Sequence, residues 1–142
     1  MKANVLDLSN ITDSSVDGVY FFGLIEHIVD RRAFSLEMKR ILKNGGFVVG
    51  ITPNRSSPWY TLRKIIRGTG KHCESDTYLD KDTVSEIFNT GDFSVEKVIH
   101  WGGVPAGVPD PVYYLLRFVE YVVERTFFRK YLGGITFKAV KK

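Results

Sequence analysis

The hydrophobic pattern of the chain changes period twice between Gly18 and Asn54, in "GVYFFGLIEHIVDRRAFSLEMKRILKNGGFVVGITPN". "VDGVYFF" is β-branched and aromatic without polar alternation, which predicts a central strand buried on both faces of a parallel sheet. Asp30 is placed to cap a helix from Arg31 to Lys43, in which Phe34, Met38, Ile41 and Leu42 share one face. Asn44, Gly45 and Gly46 stop it, and "FVVGIT" supplies a second buried strand. A strand, a helix and a strand in this order predict a right-handed crossover.

Around this unit the pattern predicts shorter elements. "NVLDL", Asn4 to Leu8, suits a short strand, and the Asn, Asp and Ser of "NITDSS" are turn chemistry. Ser57 and Pro58 open a helix to about Ile66, with Trp59, Leu62 and Ile66 on its apolar face. "GTGKHCESDTY" reads as a connector. Asp80 opens a further helix that buries Val84, Ile87 and Phe88, and "NTGD" ends it. "FSVEKVIHW", Phe93 to Trp101, alternates as a half-buried strand. Asp110 and Pro111 start the longest helix, to about Phe128, with Val112, Leu115, Leu116, Val119, Val122 and Val123 forming its apolar face and Arg117, Glu120 and Glu124 lining the other. "GGITFKAVKK" closes the pattern as a last strand.

Composition narrows the class. The 142 residues are 44% hydrophobic, 25% charged and 13% aromatic, the balance of a folded globular chain, and one domain is the expectation for this length. A single cysteine, Cys73, excludes an internal disulfide framework and suits a reducing compartment, so the cytoplasm is the expected address. No secretory-type apolar run stands near Met1, and no apolar run approaches the roughly 20 residues of a spanning helix. The net charge of +4 is too small to demand a nucleic-acid partner. Its distribution says more: Arg55, Arg63, Lys64, Arg67 and Lys71 follow one another with no acidic residue between them.

Three phrases in order, "ANVLDLSNITDSSVDGVYFFGLIEHIVD", "EMKRILKNGGFVVGITPN" and "YLDKDTVSEIFNTGDFSVEKV", resemble the C-terminal half to two-thirds of a class I S-adenosylmethionine-dependent methyltransferase. The resemblance covers Ala3 to about Lys141 and implies an α/β fold. Its sheet would be a partial Rossmann-like one, mostly parallel, with the strands in the family order fourth, fifth, seventh, sixth and the last strand antiparallel. S-adenosylmethionine is the implied cofactor, lying across the carboxyl ends of the strands. Position for position, Asn4 would accept from the adenine amine where the family carries an acidic residue, and Val5 would offer its backbone amide. Phe22, Gly23 and Leu24 would wall the methionine and adenosine moieties.

The family's glycine-rich loop has no counterpart here. No G-x-G-x-G occurs, and "RGTGK" follows a predicted helix instead of a strand. By this resemblance the chain is a single incomplete methyltransferase-like domain, residues 1–142. Its fourth strand would then show a free edge, inviting a second copy or a partner that supplies the missing half. A fragment of a longer gene or a misplaced start codon would give the same pattern.

Other candidate chemistry is thinner. Glu26 and His27 are adjacent near the implied cleft, and a structural role in the turn is preferred to acid/base work. His72, Cys73 and Glu74 are consecutive, which is poor spacing for metal ligands. No catalytic residue is assigned and no metal is expected. Arg55, Trp59, Arg63, Lys64 and Arg67 form the candidate surface for an acceptor or partner, because insertions after the fifth strand cover the acceptor pocket in the resembling fold. Two readings follow: methyl transfer from S-adenosylmethionine to a small-molecule or lipid-like acceptor, or a non-catalytic module that pairs through its edge. Peripheral membrane contact through Arg55 to Lys71, with added apolar area from the long helix, or nucleic-acid binding by the same basic stretch, is a third.

Overall fold

A computed structural model describes residues 4–58, 78–88, 92–102, 104 and 109–142. Among these residues four strands form one sheet: β1 (Val16–Phe22), β2 (Leu42–Pro53), β3 (Phe93–Trp101) and β4 (Gly134–Lys141), in the order β1-β2-β4-β3. β1 and β2 run parallel, and β4 lies antiparallel between β2 and β3. Three strands therefore share one direction and the last opposes them, the α/β arrangement expected from the sequence.

The crossover between β1 and β2 is α1 (Arg31–Ile41), whose amino end is capped by Asp30 accepting from the Ala33 amide at 2.8 Å. The helix ends two residues before the expected Lys43, because Leu42 is already extended and pairs with Val16. The register then slips, leaving Lys43 to Gly46 bulged before Phe47 meets Gly18. Gly45 takes a φ of +76° in that bulge, a conformation a side chain would strain. Asp80 caps α2 (Lys81–Phe88), accepting from both the amide and the hydroxyl of Thr83.

Pairing register sorts the side chains of the sheet onto two faces. Phe21, Val48, Phe137 and Val98 point toward the helices, where Phe34, Met38 and Ile41 of α1 and Val84, Ile87 and Phe88 of α2 complete a core. Aromatic edges bind it: Phe88 contacts Phe34, Phe93 and Phe137 at centroid distances of 6.3, 5.5 and 5.3 Å. The other face carries Tyr20, Phe22, Phe47, Val49 and Ile51.

Three expectations need correction. Asn4 to Leu8 is not a strand but a turn, in which Asn4 bridges Asp7 and its Oδ1 accepts from the Leu6 amide at 3.1 Å. β1 is not central as its pattern suggests: among the described residues it lies at the sheet edge, as the resemblance implies, with Tyr20 71% and Phe22 76% exposed, since both described sheet helices pack on the opposite face. The long helix, α3 (Asp110–Val123), starts at Asp110 and Pro111 as expected but ends five residues before Phe128. Its apolar positions do not face the described core, and its only buried residue is Glu120, read from the pattern as part of the polar face and bonded to Arg117 at 2.7 Å. The helix sits on an excursion between β3 and β4, and among the described residues its apolar face meets no core residue.

One arginine holds the loop that leads into β1. Arg40 donates to the carbonyls of Leu8 and Ile11 at 2.9 Å each, to Glu37 and to Asp13, while Glu37 accepts from the Leu8 amide at 2.7 Å. The guanidinium holds the Glu37 carboxyl below its ordinary range.

Replacing Phe88 with alanine removes the ring shared by three others in the core, and is expected to lower the folding free energy by about 3–5 kcal/mol. Denaturant unfolding followed by far-UV circular dichroism measures it.

Candidate functional site

Since β1, β2 and β3 share a direction, their carboxyl ends meet at one end of the sheet, together with the amino end of β4: Pro53 and Trp101 both pair with Gly134. Open α/β sheets bind ligands at this end.

The β1 side of the site is a sharp turn. Gly23 has a φ of +60° and donates its amide to the Ile51 carbonyl at 3.0 Å, so the chain leaves β1 while still tied to β2. A short 3-10 turn, Ile25–His27, follows, anchored by the buried Ile25 and Ile28. Glu26 is buried and accepts from the Thr52 hydroxyl of β2 at 3.2 Å. That bond stitches the turn to the sheet.

The β2 side is organised by Asn54. Its Nδ2 donates to the carbonyls of Lys130 and Leu132 at 2.8 and 2.6 Å, its amide donates to the Gly133 carbonyl at 2.9 Å, and its Oδ1 accepts from the Ser56 amide at 3.0 Å. Asn54 is 1% exposed, so these bonds satisfy a side chain held away from water. From the sequence Asn54 reads only as a loop residue after a strand. The signal was present as "TPN", a polar residue following a run of buried ones, but its partners are more than 70 residues away.

Between β3 and β4 the chain makes an excursion closed at its neck. Gly133 donates its amide to the Gly102 carbonyl, and a Cβ on Gly133 would stand 2.7 Å from that oxygen. Beyond the neck lie α3 and a 3-10 turn, Phe127–Tyr131, capped by the Thr126 hydroxyl accepting from the Phe128 amide at 3.2 Å.

The expected site residues are placed unevenly. Phe22, Gly23 and Leu24 do lie at the carboxyl end of β1. Asn4 and Val5 belong to the turn before Leu8, whose hydrogen bonds lead to Glu37 and Arg40 in the second half of α1. Arg55 is exposed just past β2 and donates its amide to the Leu79 carbonyl at 2.9 Å. Trp59, Arg63, Lys64 and Arg67 lie outside the described residues, as do His72, Cys73 and Glu74. Among the described residues no three His, Cys, Asp or Glu are grouped to hold a metal ion.

A groove of about 1020 Å³ runs along β3 toward the 3-10 turn, lined by Lys81, Lys97, His100, Arg125, Arg129 and Lys130 among others. Burial, then the positive charges of Arg129 and Lys81, hold His100 below its ordinary pKa.

A sequence model of the family described as "Methyltransferase domain" matches residues 1–50. Probable S-adenosylmethionine-dependent methyltransferases of two Mycobacterium tuberculosis strains are 42% identical over 55 residues, 39% of this chain and 20% of theirs. The chain thus matches about a fifth of the length of these curated relatives. Among solved structures, a SAM-dependent methyltransferase from Archaeoglobus fulgidus superposes with a TM-score of 0.63 at 18% identity, over 100% of this chain and 66% of that one. A SAM-dependent methyltransferase from Thermotoga maritima, described as a possible histamine N-methyltransferase, gives 0.70 at 14% identity, over 100% and 63%. Geranyl diphosphate C-methyltransferase from Streptomyces coelicolor A3(2) gives 0.60 at 15%, over 99% and 53%. The fold is that of the class I S-adenosylmethionine-dependent methyltransferases.

Asn54→Ala takes the side-chain donor from two carbonyls at a buried site and is expected to cost roughly 2–4 kcal/mol, read by chemical unfolding. A second outcome follows from His100. Its depressed pKa means that the unfolded chain takes up a proton first as the pH falls below about 6.5, so stability present above that pH is lost toward the folded pKa. The His100→Gln variant should show a shallower decline of melting temperature across that window.

Proposed function

We propose that the chain carries the fourth-strand to seventh-strand part of an S-adenosylmethionine-dependent methyltransferase, with the carboxyl end of β1 facing the cofactor. The observation that carries this reading is the Phe22–Gly23–Leu24 turn at the end of a parallel pair, in a fold of this class whose first 50 residues match the methyltransferase domain.

The residues suit part of such a ligand. Phe22 offers an exposed aromatic ring, and the backbone at Gly23 carries no side chain to block approach. Asn4 retains acceptor capacity at Oδ1 beyond its bond to Leu6, and Val5 would offer its amide. When bound, S-adenosylmethionine supplies an activated methyl group on a sulfonium. In-line transfer of that methyl asks the protein mainly for proximity and orientation, and for a base only where the acceptor must lose a proton. The acceptor is a small or lipid-like molecule, and Arg55 with Trp59, Arg63, Lys64 and Arg67 is the surface proposed to meet it or a partner.

The edge of β1 favours a second reading. Among the described residues no strand pairs with the outer edge of β1, and that edge with the exposed Tyr20 invites a further strand, from a second copy or from a polypeptide supplying the glycine-rich loop. In that case the chain is an interaction module whose cofactor site is completed by its partner.

Titration with S-adenosylmethionine into the millimolar range, followed by amide chemical shifts, is expected to move the signals of Phe22, Gly23 and Leu24. Unmoved signals would sink cofactor binding by this chain alone. Sedimentation velocity then tests the module: association that Tyr20→Lys weakens supports edge pairing.

A further inference from the structure

The described residues leave one large apolar surface that neither the core nor the cofactor-facing turn uses. Tyr114, Phe118 and Tyr121 stand at i, i+4 and i+7 on α3, opposite the side on which Glu120 is buried, with Leu115 and Val122 beside them. Tyr114 is 71% and Phe118 65% exposed. The stripe runs on through Arg125 to the 3-10 turn, where Phe127 and Phe128 are 75% and 61% exposed.

Scattered apolar residues on a surface need no explanation, but a continuous patch of this kind does. Its charge decides the occupant. From Arg125 to Tyr131 there are three cations, Arg125, Arg129 and Lys130, and no acidic residue. The acidic residues of the adjoining helical turns are Glu120, buried against Arg117, and Glu124. Arg125 lies 3.5 Å over the Tyr121 ring, and Lys130 lies 4.1 Å over Phe127. Cations held beside exposed rings suit a boundary that is apolar on one side and anionic on the other. The groove beside β3 adds Lys81 and Lys97 to these cations, against Glu96 and Glu124 in its lining.

We propose that the outward face of α3 and the Phe127–Tyr131 turn dock on an anionic phospholipid bilayer. Phe127 and Phe128 enter the acyl boundary, Tyr114, Phe118 and Tyr121 lie at headgroup depth, and Arg125, Arg129 and Lys130 meet lipid phosphates. The contact is peripheral: among the described residues no helix is long and apolar enough to cross a membrane. Because the excursion is closed at Gly102 and Gly133, docking holds the carboxyl end of the sheet toward the bilayer. The inference does not depend on cofactor binding, and its readout does not involve methyl transfer.

The test is co-sedimentation of the full chain with phosphatidylcholine vesicles and with vesicles containing phosphatidylserine. Binding is expected on the anionic vesicles and should weaken as salt is raised. Phe127→Ser combined with Phe128→Ser should lower partitioning by roughly tenfold or more, and Arg129→Gln combined with Lys130→Gln by a similar factor. Leu36→Ser, which alters an exposed apolar residue of α1, should change nothing. Circular dichroism confirms that each variant is folded, and the two double variants test the surface independently. Absence of binding to anionic vesicles, or binding unaffected by both double variants, overturns the proposal. So does self-association in solution that the phenylalanine variant abolishes, which would make the patch a protein interface.

Discussion

The buried amide of Asn54 joins parts of the chain that the sequence keeps far apart. It closes the end of β2 onto the carbonyls of Lys130 and Leu132, immediately before β4 begins. This fixes where the chain re-enters the sheet, and so allows β4 to insert antiparallel between β2 and β3. The Gly102–Gly133 neck follows from the same constraint, because Gly133 is held by Asn54 on one side and by Gly102 on the other. α3 and the 3-10 turn beyond that neck are carried at one end of the sheet.

That end concentrates the distinctive chemistry of the molecule. The Gly23 turn, the Glu26 bond to Thr52, Asn54 and the basic groove beside β3 all belong to it or border it. The opposite end is structural: Arg40 and Glu37 gather the loop from Leu8 to Asp13 against α1. A parallel sheet naturally separates such roles, since strands delivered in one direction gather their loops at one end.

The crossover from β1 through α1 to β2 was legible in the sequence because local rules agree there. Asp30 caps, Phe34, Met38 and Ile41 repeat at helical spacing, and Phe47 to Thr52 runs as a strand that buries Val48, Gly50 and Thr52. Asp80 and α2 were legible for the same reason. The turn at Asn4 was misread, since a short run with apolar residues fits a strand until Asn4 and Asp7 fold it back on itself. α3 was misread more deeply: its period is helical, but period states only that a face is apolar, not what covers it.

The sequence by itself determined the type and order of most elements, through caps, glycine breaks and apolar spacing, and the residues of the Phe22–Gly23–Leu24 turn. Only the tertiary structure decided that Asn54 bonds across more than 70 residues and that α3 turns its aromatic stripe outward. The reason is physical. Propensity and capping act within a few residues, whereas burial depends on which distant segments arrive at the same face.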